Sequence, residues 1–165
     1  MPVRFNADEI FQMAERLEQN AATYYHTAAE KVNYPGARQM FLELASWEEK
    51  HESNFASMHK NISDKEREEM AFDPYDETAQ YLQALADESI FDTSDSPLEN
   101  IGTEPTFENI LRFAVSKEKD TINFYTGLRQ LVSAGSGKNK VDEIIQEEMR
   151  HVSLLTQELN KVKTE

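Results

Sequence analysis

Glu48-Glu49-Lys50-His51 and Glu148-Met149-Arg150-His151 carry one pattern, Glu-x-x-His, at a shift of 100 residues. Thirty residues before each motif stands a lone glutamate, Glu18 and Glu118, followed seven residues later by a tyrosine, Tyr25 and Tyr125. A chain that repeats in this way reads as two copies of one helical hairpin, each holding half of a metal site.

Working outward from the motifs, apolar residues fix where the helices lie. Asn6 with Glu9 forms an Asn-x-x-Glu start signal, after which Phe11, Ala14, Glu18, Ala21, Tyr25 and Ala28 recur at spacings of three and four and share a helix face. Asn33-Tyr34-Pro35-Gly36 ends that helix in a turn. A second helix is expected from about Ala37 to Asn61, with Phe41, Leu44, Glu48, His51, Phe55 and Met58 facing inward. At about 1.5 Å per residue it is roughly 38 Å long, a bundle length, and the short turn makes the two helices antiparallel neighbours.

The second half follows the same plan. Thr106 is the expected cap of a third helix with Leu111, Ala114, Glu118, Thr121, Tyr125 and Leu128 inward, stopped by Ala134-Gly135-Ser136-Gly137. The fourth carries Val141, Ile144, Glu148, His151, Leu155 and Glu158, and frays at Lys161-Val162-Lys163. Between the hairpins, residues of about 62–105 form a crossover far longer than an ordinary loop. Ser63 to Glu69 reads as a short charged helix and Asp76 to Ile90 as an amphipathic one with Tyr81, Leu82, Leu85 and Ile90 on a face; Phe91 to Pro97 has loop chemistry. A disordered linker is the alternative reading of this stretch. The expectation is one all-α domain over residues 1–165, an antiparallel four-helix bundle with hairpins at about 7–61 and 106–162.

Composition narrows the chemistry. A net charge of −14 disfavours nucleic acid and anionic membranes and suits cations. The absence of cysteine excludes disulfides, zinc ribbons, thiol catalysis and a rubredoxin-type iron centre on these 165 residues. Neither an apolar signal stretch nor a run of about 20 apolar residues occurs, so a soluble cytoplasmic protein is the expectation.

Polar residues in an apolar seam carry the argument further. Burying an unpartnered carboxylate costs several kcal/mol, and the pattern brings four of them into one layer beside two imidazoles. Two divalent cations balance four carboxylates, and a glutamate and a histidine three residues apart on a helix both reach one ion. Singly, each of Glu18, Glu48, His51, Glu118, Glu148 and His151 reads as well as a solvated or satisfied residue; their conjunction in both halves points to metal. Glu15, Glu49, Glu52 and Glu147 fall off the stripe and read as solvated or as touching a ligand from outside. His26 and His59 lack counterparts and read as structural or exposed, and Trp47 as a packing residue. Tyr25 and Tyr125 are either core aromatics satisfied by a carboxylate, or donors to a ligand or redox-active phenols.

In these motifs the sequence resembles the rubrerythrin-like branch of the ferritin-like di-iron proteins. The residues that carry the likeness are Glu18-Gln19-Asn20 with Tyr25, Leu44-Ala45-Ser46-Trp47-Glu48-Glu49-Lys50-His51, Lys117-Glu118-Lys119-Asp120 with Phe124-Tyr125, and Glu147-Glu148-Met149-Arg150-His151. The resemblance implies a ferritin-like bundle with two iron ions, Zn or Mn being substitutes. In it Glu18 and His51 would serve mainly one iron and Glu118 and His151 the other, with Glu48 and Glu148 bridging or chelating. It implies reduction of hydrogen peroxide or dioxygen with electrons from a separate rubredoxin-type donor, and a homodimer that could exchange hairpins. The sequence departs from the family where Ala114 and Thr121 flank Glu118, since rubrerythrins use a further glutamate there or nearby. Iron storage, a metal-stabilised structural bundle and a metal-free interaction bundle are the alternatives.

Overall fold

The computed structural model describes residues 4–68, 73–87, 106–132 and 137–164, and every regular element among them is an α-helix. In chain order these are α1 (Ala7–Lys31), α2 (Ala37–Asn61), α3 (Asp64–Glu68), α4 (Glu77–Asp87), α5 (Phe107–Leu131) and α6 (Lys138–Thr164).

The internal repeat extends to the helix ends. The Asn6 side chain accepts from the Glu9 N–H at 2.9 Å while Glu9 accepts from the Asn6 N–H at 3.0 Å, the reciprocal cap read from the sequence. One hundred residues on, Thr106 accepts from the Asn109 N–H at 3.1 Å. α1 and α5 each run 25 residues and end at a valine, Val32 and Val132, whose extended backbone donates to the carbonyl four residues back. Gly36, before α2, has φ of +77° with nothing within 4 Å of an added Cβ, so its glycine serves backbone conformation alone. Ser63 and Glu66 cap α3 reciprocally, as its sequence predicts.

Cross-helix contacts fix the directions. Between α1 and α2, Asp8 meets His59 and His26 meets Glu49; between α1 and α5, Glu18 meets Tyr125 and Tyr25 meets Glu118; between α2 and α6, Glu48 meets His151 and His51 meets Glu148. In each pair one number rises as the other falls, so all three pairs are antiparallel, and α2 and α5 therefore run the same way. A connection between parallel helices must climb back along the bundle, about 38 Å for a 25-residue helix. That return explains why the crossover is so long.

The core repeats its buried positions more closely than its shapes. Ile10 and Ile110, and Ala14 and Ala114, are buried pairs of one residue type, whereas buried Phe41 and Phe55 hold the positions that Val141 and Leu155 hold in the other half. Tyr24 bridges the halves by donating to the Ile110 carbonyl at 3.0 Å. Among the described residues, no helix is long and apolar enough to cross a membrane.

Three details differ from the sequence reading. Tyr81 is 44% exposed; among the described residues α4 packs mainly on α5, with Ala79 and Leu82 buried there. Leu159 rather than Glu158 continues the α6 stripe one turn beyond Leu155, and Glu158 pairs with Lys161 at the surface. α6 does not fray at Lys161 but continues to Thr164, its last-turn lysines suiting the negative end of the helix. Ile90, the loop residues Phe91 to Pro97, and Ala134 to Ser136 lie outside the described residues.

α4 meets α5 at Gly127, where an added Cβ would stand 3.0 Å from Leu82 Cδ2. Leu82 is fully buried in this contact. Leu82→Ala is therefore expected to lower stability by about 2–5 kcal/mol, and Tyr81→Ala by clearly less, as measured by denaturant unfolding; equal effects would mean that α4 is not packed through Leu82.

Candidate metal centre

Each ligand candidate is delivered by the stripe that builds the core. Glu18, Glu48, His51 and Glu148 are fully buried, Glu118 is 1% and His151 3% exposed. They divide into two sets, Glu18 with Glu48, His51 and Glu148, and Glu118 with Glu48, Glu148 and His151. Within each set, one donor atom from every residue lies within 4.8 Å of all the others. Glu48 and Glu148 belong to both sets.

The distances show how the sharing works. His51 Nδ1 lies 2.9 Å from Glu148 Oε1, 3.2 Å from Glu48 Oε2 and 3.8 Å from Glu18 Oε2. His151 Nδ1 lies 2.9 Å from Glu148 Oε2, 3.0 Å from Glu48 Oε1 and 3.7 Å from Glu118 Oε1. Both motif glutamates thus turn one oxygen to each histidine, across imidazole rings whose centroids are 5.6 Å apart.

Whether this cluster fits metal can be tested on its own atoms. Glu18 Oε2, Glu48 Oε1, both oxygens of Glu148 and His151 Nδ1 are buried without a hydrogen-bond partner. Leaving such atoms bare is costly, and several lone pairs converging on two shared points is what a pair of cations requires. The donor set, carboxylate oxygen with imidazole nitrogen, suits iron, zinc and manganese alike.

Contacts around the cluster were only partly legible beforehand. Tyr25 donates to Glu118 Oε1, and Tyr125 to Glu18 Oε1, so each tyrosine serves the lone glutamate of the other hairpin. In Glu18 that pairing takes one oxygen and leaves Oε2 toward His51, whereas in Glu118 the oxygen that accepts from Tyr25 is also the one 3.7 Å from His151 Nδ1. Glu147, half-buried, lies 2.6 Å from His51 Nε2. A carboxylate in this role accepts, so Nε2 carries a proton, and Nδ1 is the nitrogen left facing inward, where a metal would take its lone pair. Trp47 packs against His151, ring centroids 5.2 Å apart and 12° from parallel. The sequence signal for both was their position one residue before each motif glutamate. The remaining off-stripe groups pair elsewhere: Glu15 with His59, Glu49 with His26, and Glu52 with Gln19.

Without metal, the cluster's charges are met by protons. Burial pulls His51 down, but Glu148, Glu18 and Glu48 outweigh it and hold the imidazole far above its ordinary 6.5. His151 behaves alike, with Glu48, Glu118 and Glu148 overcoming burial. Burial, then the charges of Glu148 and Glu118, push Glu48 well above 4.5; burial and Glu148 push Glu118 up to about 7. Glu148 moves oppositely: burial and Glu18 raise it, yet the close imidazoles of His151 and His51 bring it below 4.5. Burial first, and then the neighbouring glutamates, keep Tyr25 and Tyr125 protonated well above 10, fixing them as donors.

Comparison with known proteins bears on the arrangement. The sequence profile described as Rubrerythrin matches residues 9–103, which takes in α1, α2 and the crossover. Among solved structures, a Thermotoga maritima protein described as a ferritin-like diiron-carboxylate protein matches with a TM-score of 0.70 at 22% identity, over 96% of this chain and 97% of that one. At that identity the match speaks for a ferritin-like fold. No curated protein matches the chain. Glu118, Glu148 and His151 lie beyond the profile's span, so their membership of the cluster rests on geometry.

Two predictions follow from the charges. The raised groups bind protons more tightly folded than unfolded, so what they contribute is full at low pH and lost as pH rises: from 4.5 to about 7 for Glu118, and from 6.5 upward for the imidazoles. The opposing loss, from Glu148, falls below 4.5. The metal-free chain should therefore melt at progressively lower temperature between pH 6 and 9, and divalent metal should restore most at the upper end, where fewer protons compete for the cluster. Glu18→Gln with Glu118→Gln keeps acceptors for both tyrosines but removes two buried charges; it should abolish tight metal binding and raise the metal-free melting temperature at pH 8.

Proposed function

The chain belongs to the rubrerythrin family, and on that premise we propose that its buried cluster holds two iron ions and reduces hydrogen peroxide or dioxygen. The observation that carries the reading is the sharing of Glu48 and Glu148, each with one oxygen toward each histidine. Sharing of this kind brings two ions close enough to act on the two ends of one small molecule.

Two ferrous ions, when bound, would supply the two electrons that cleave the O–O bond of hydrogen peroxide or take dioxygen to the peroxide level. The protein's own part is to hold, balance and shield. Four carboxylates offset two divalent charges, while the imidazoles add nitrogen donors with no further charge. Glu18 and Glu118, tethered through one oxygen by Tyr125 and Tyr25, are the fixed ligands. Among the described residues no phenol bond ties Glu48 or Glu148, so these two would be the carboxylates left to adjust to bound metal. Buried Phe41, Phe55, Leu44 and Ile144 line the same helix faces and exclude water.

Electrons must come from elsewhere, because no cysteine is available to build a rubredoxin-type centre on these residues. We assign that part to a separate donor protein, and the working form to a homodimer. A second reading, iron binding or storage without turnover, is favoured by one observation. The positions flanking Glu118 are buried Ala114 and Thr121, and the Thr121 hydroxyl donates to the Lys117 carbonyl at 3.0 Å, away from any ligand role. The further glutamate used by rubrerythrins has no equivalent at those positions.

Anaerobic Fe(II) titration followed by rapid mixing with peroxide or dioxygen separates these readings. The expected result is two irons per chain and a ferric absorbance that rises faster with peroxide than with dioxygen. Loading far beyond two would favour storage, and equally slow responses to both oxidants would remove the peroxidase reading.

A further inference from the structure

The repeat that makes the two metal positions alike breaks at a pair of residues that touch the two histidines. Positions 48 and 148 are both glutamate and 51 and 151 both histidine, but position 47 is tryptophan and position 147 glutamate. The contacts diverge accordingly. Glu147 Oε2 holds His51 Nε2 at 2.6 Å, and its other oxygen lies 3.7 Å from Arg150. Trp47 instead lies flat on His151. Among the described residues no carboxylate reaches His151 Nε2; all of that ring's acidic neighbours approach Nδ1.

We propose that residues 47 and 147 make the two metal positions unequal, so that the His51 position fills first and the His151 position is the weaker, exchangeable one. The inference rests on the two-metal reading above. A carboxylate accepting from the outer nitrogen of a metal-bound imidazole fixes the ring's tautomer and orientation and makes its inner nitrogen a stronger donor, and losing such a partner typically lowers metal affinity about 10–100-fold. The stacked indole packs on the ring face and offers no acceptor in the ring plane. It also brings the chain's single tryptophan, 39% exposed, to the weaker position, where its emission reports filling. Glu147 is thus a positioning residue, acting on metal only through His51.

The test is anaerobic titration of the full chain with Fe(II), followed by calorimetry and by Trp47 emission. The expected wild-type result is two steps of one iron each, at least about 10-fold apart in affinity, with emission falling mainly in the second. Glu147→Ala should weaken the first step about 10–100-fold and leave the second in place, and Glu147→Gln, which keeps an acceptor without charge, should fall between. Trp47→Glu, read by calorimetry, should tighten the second step toward the first. Two equal steps, a single step filling both positions together, or a Glu147→Ala variant that weakens both steps alike would overturn the proposal while leaving a two-metal centre intact. No saturable binding at all would overturn the two-metal reading and the proposal with it.

Discussion

Four carboxylates sealed from water in the middle of one bundle cannot all stay ionised without cations, and the rest of the structure follows from that constraint. Two imidazoles alone do not supply enough positive charge. The metal-free chain meets the deficit with protons, carried above their ordinary values on His51, His151, Glu48 and Glu118. Divalent metal answers the same need with better geometry, because Glu18 Oε2, Glu48 Oε1 and both oxygens of Glu148 lack hydrogen-bond partners. Stability and metal binding are therefore two views of one electrostatic problem.

Antiparallel crossing is what lets the repeat solve it. With α1 against α5 and α2 against α6, the equivalent residues of the two halves meet near the middle of each helix pair. Tyr25 then reaches Glu118 while Tyr125 reaches Glu18, and one hydrogen-bond type is used twice to lock the hairpins together. The same symmetry turns Glu48 and Glu148 into shared groups. Where it fails, at Trp47 and Glu147, the two histidines acquire different outer partners, and the halves cease to be interchangeable.

Much of this was legible in the residues. The caps at Asn6 and Thr106, the turn at Pro35-Gly36, and the three-four spacing of the inward faces are local signals, and the structure follows them closely. Spacing alone misplaces Tyr81 and Glu158, because it says which residues share a face and not what covers that face. Among the described residues α4 packs mainly on α5, and its buried stripe is narrow.

Sequence by itself determined the helices, their duplication, and the three polar residues that each half turns inward, because helical periodicity fixes which side chains share a face. It could not determine which half partners which. That Tyr25 serves Glu118 rather than Glu18, that α2 and α5 run parallel, and that Glu147 grips His51 while Trp47 covers His151 are decided by the crossing of helices far apart in sequence. Spacing along one helix constrains only that helix; contacts between helices exist only once the bundle has closed around its charges.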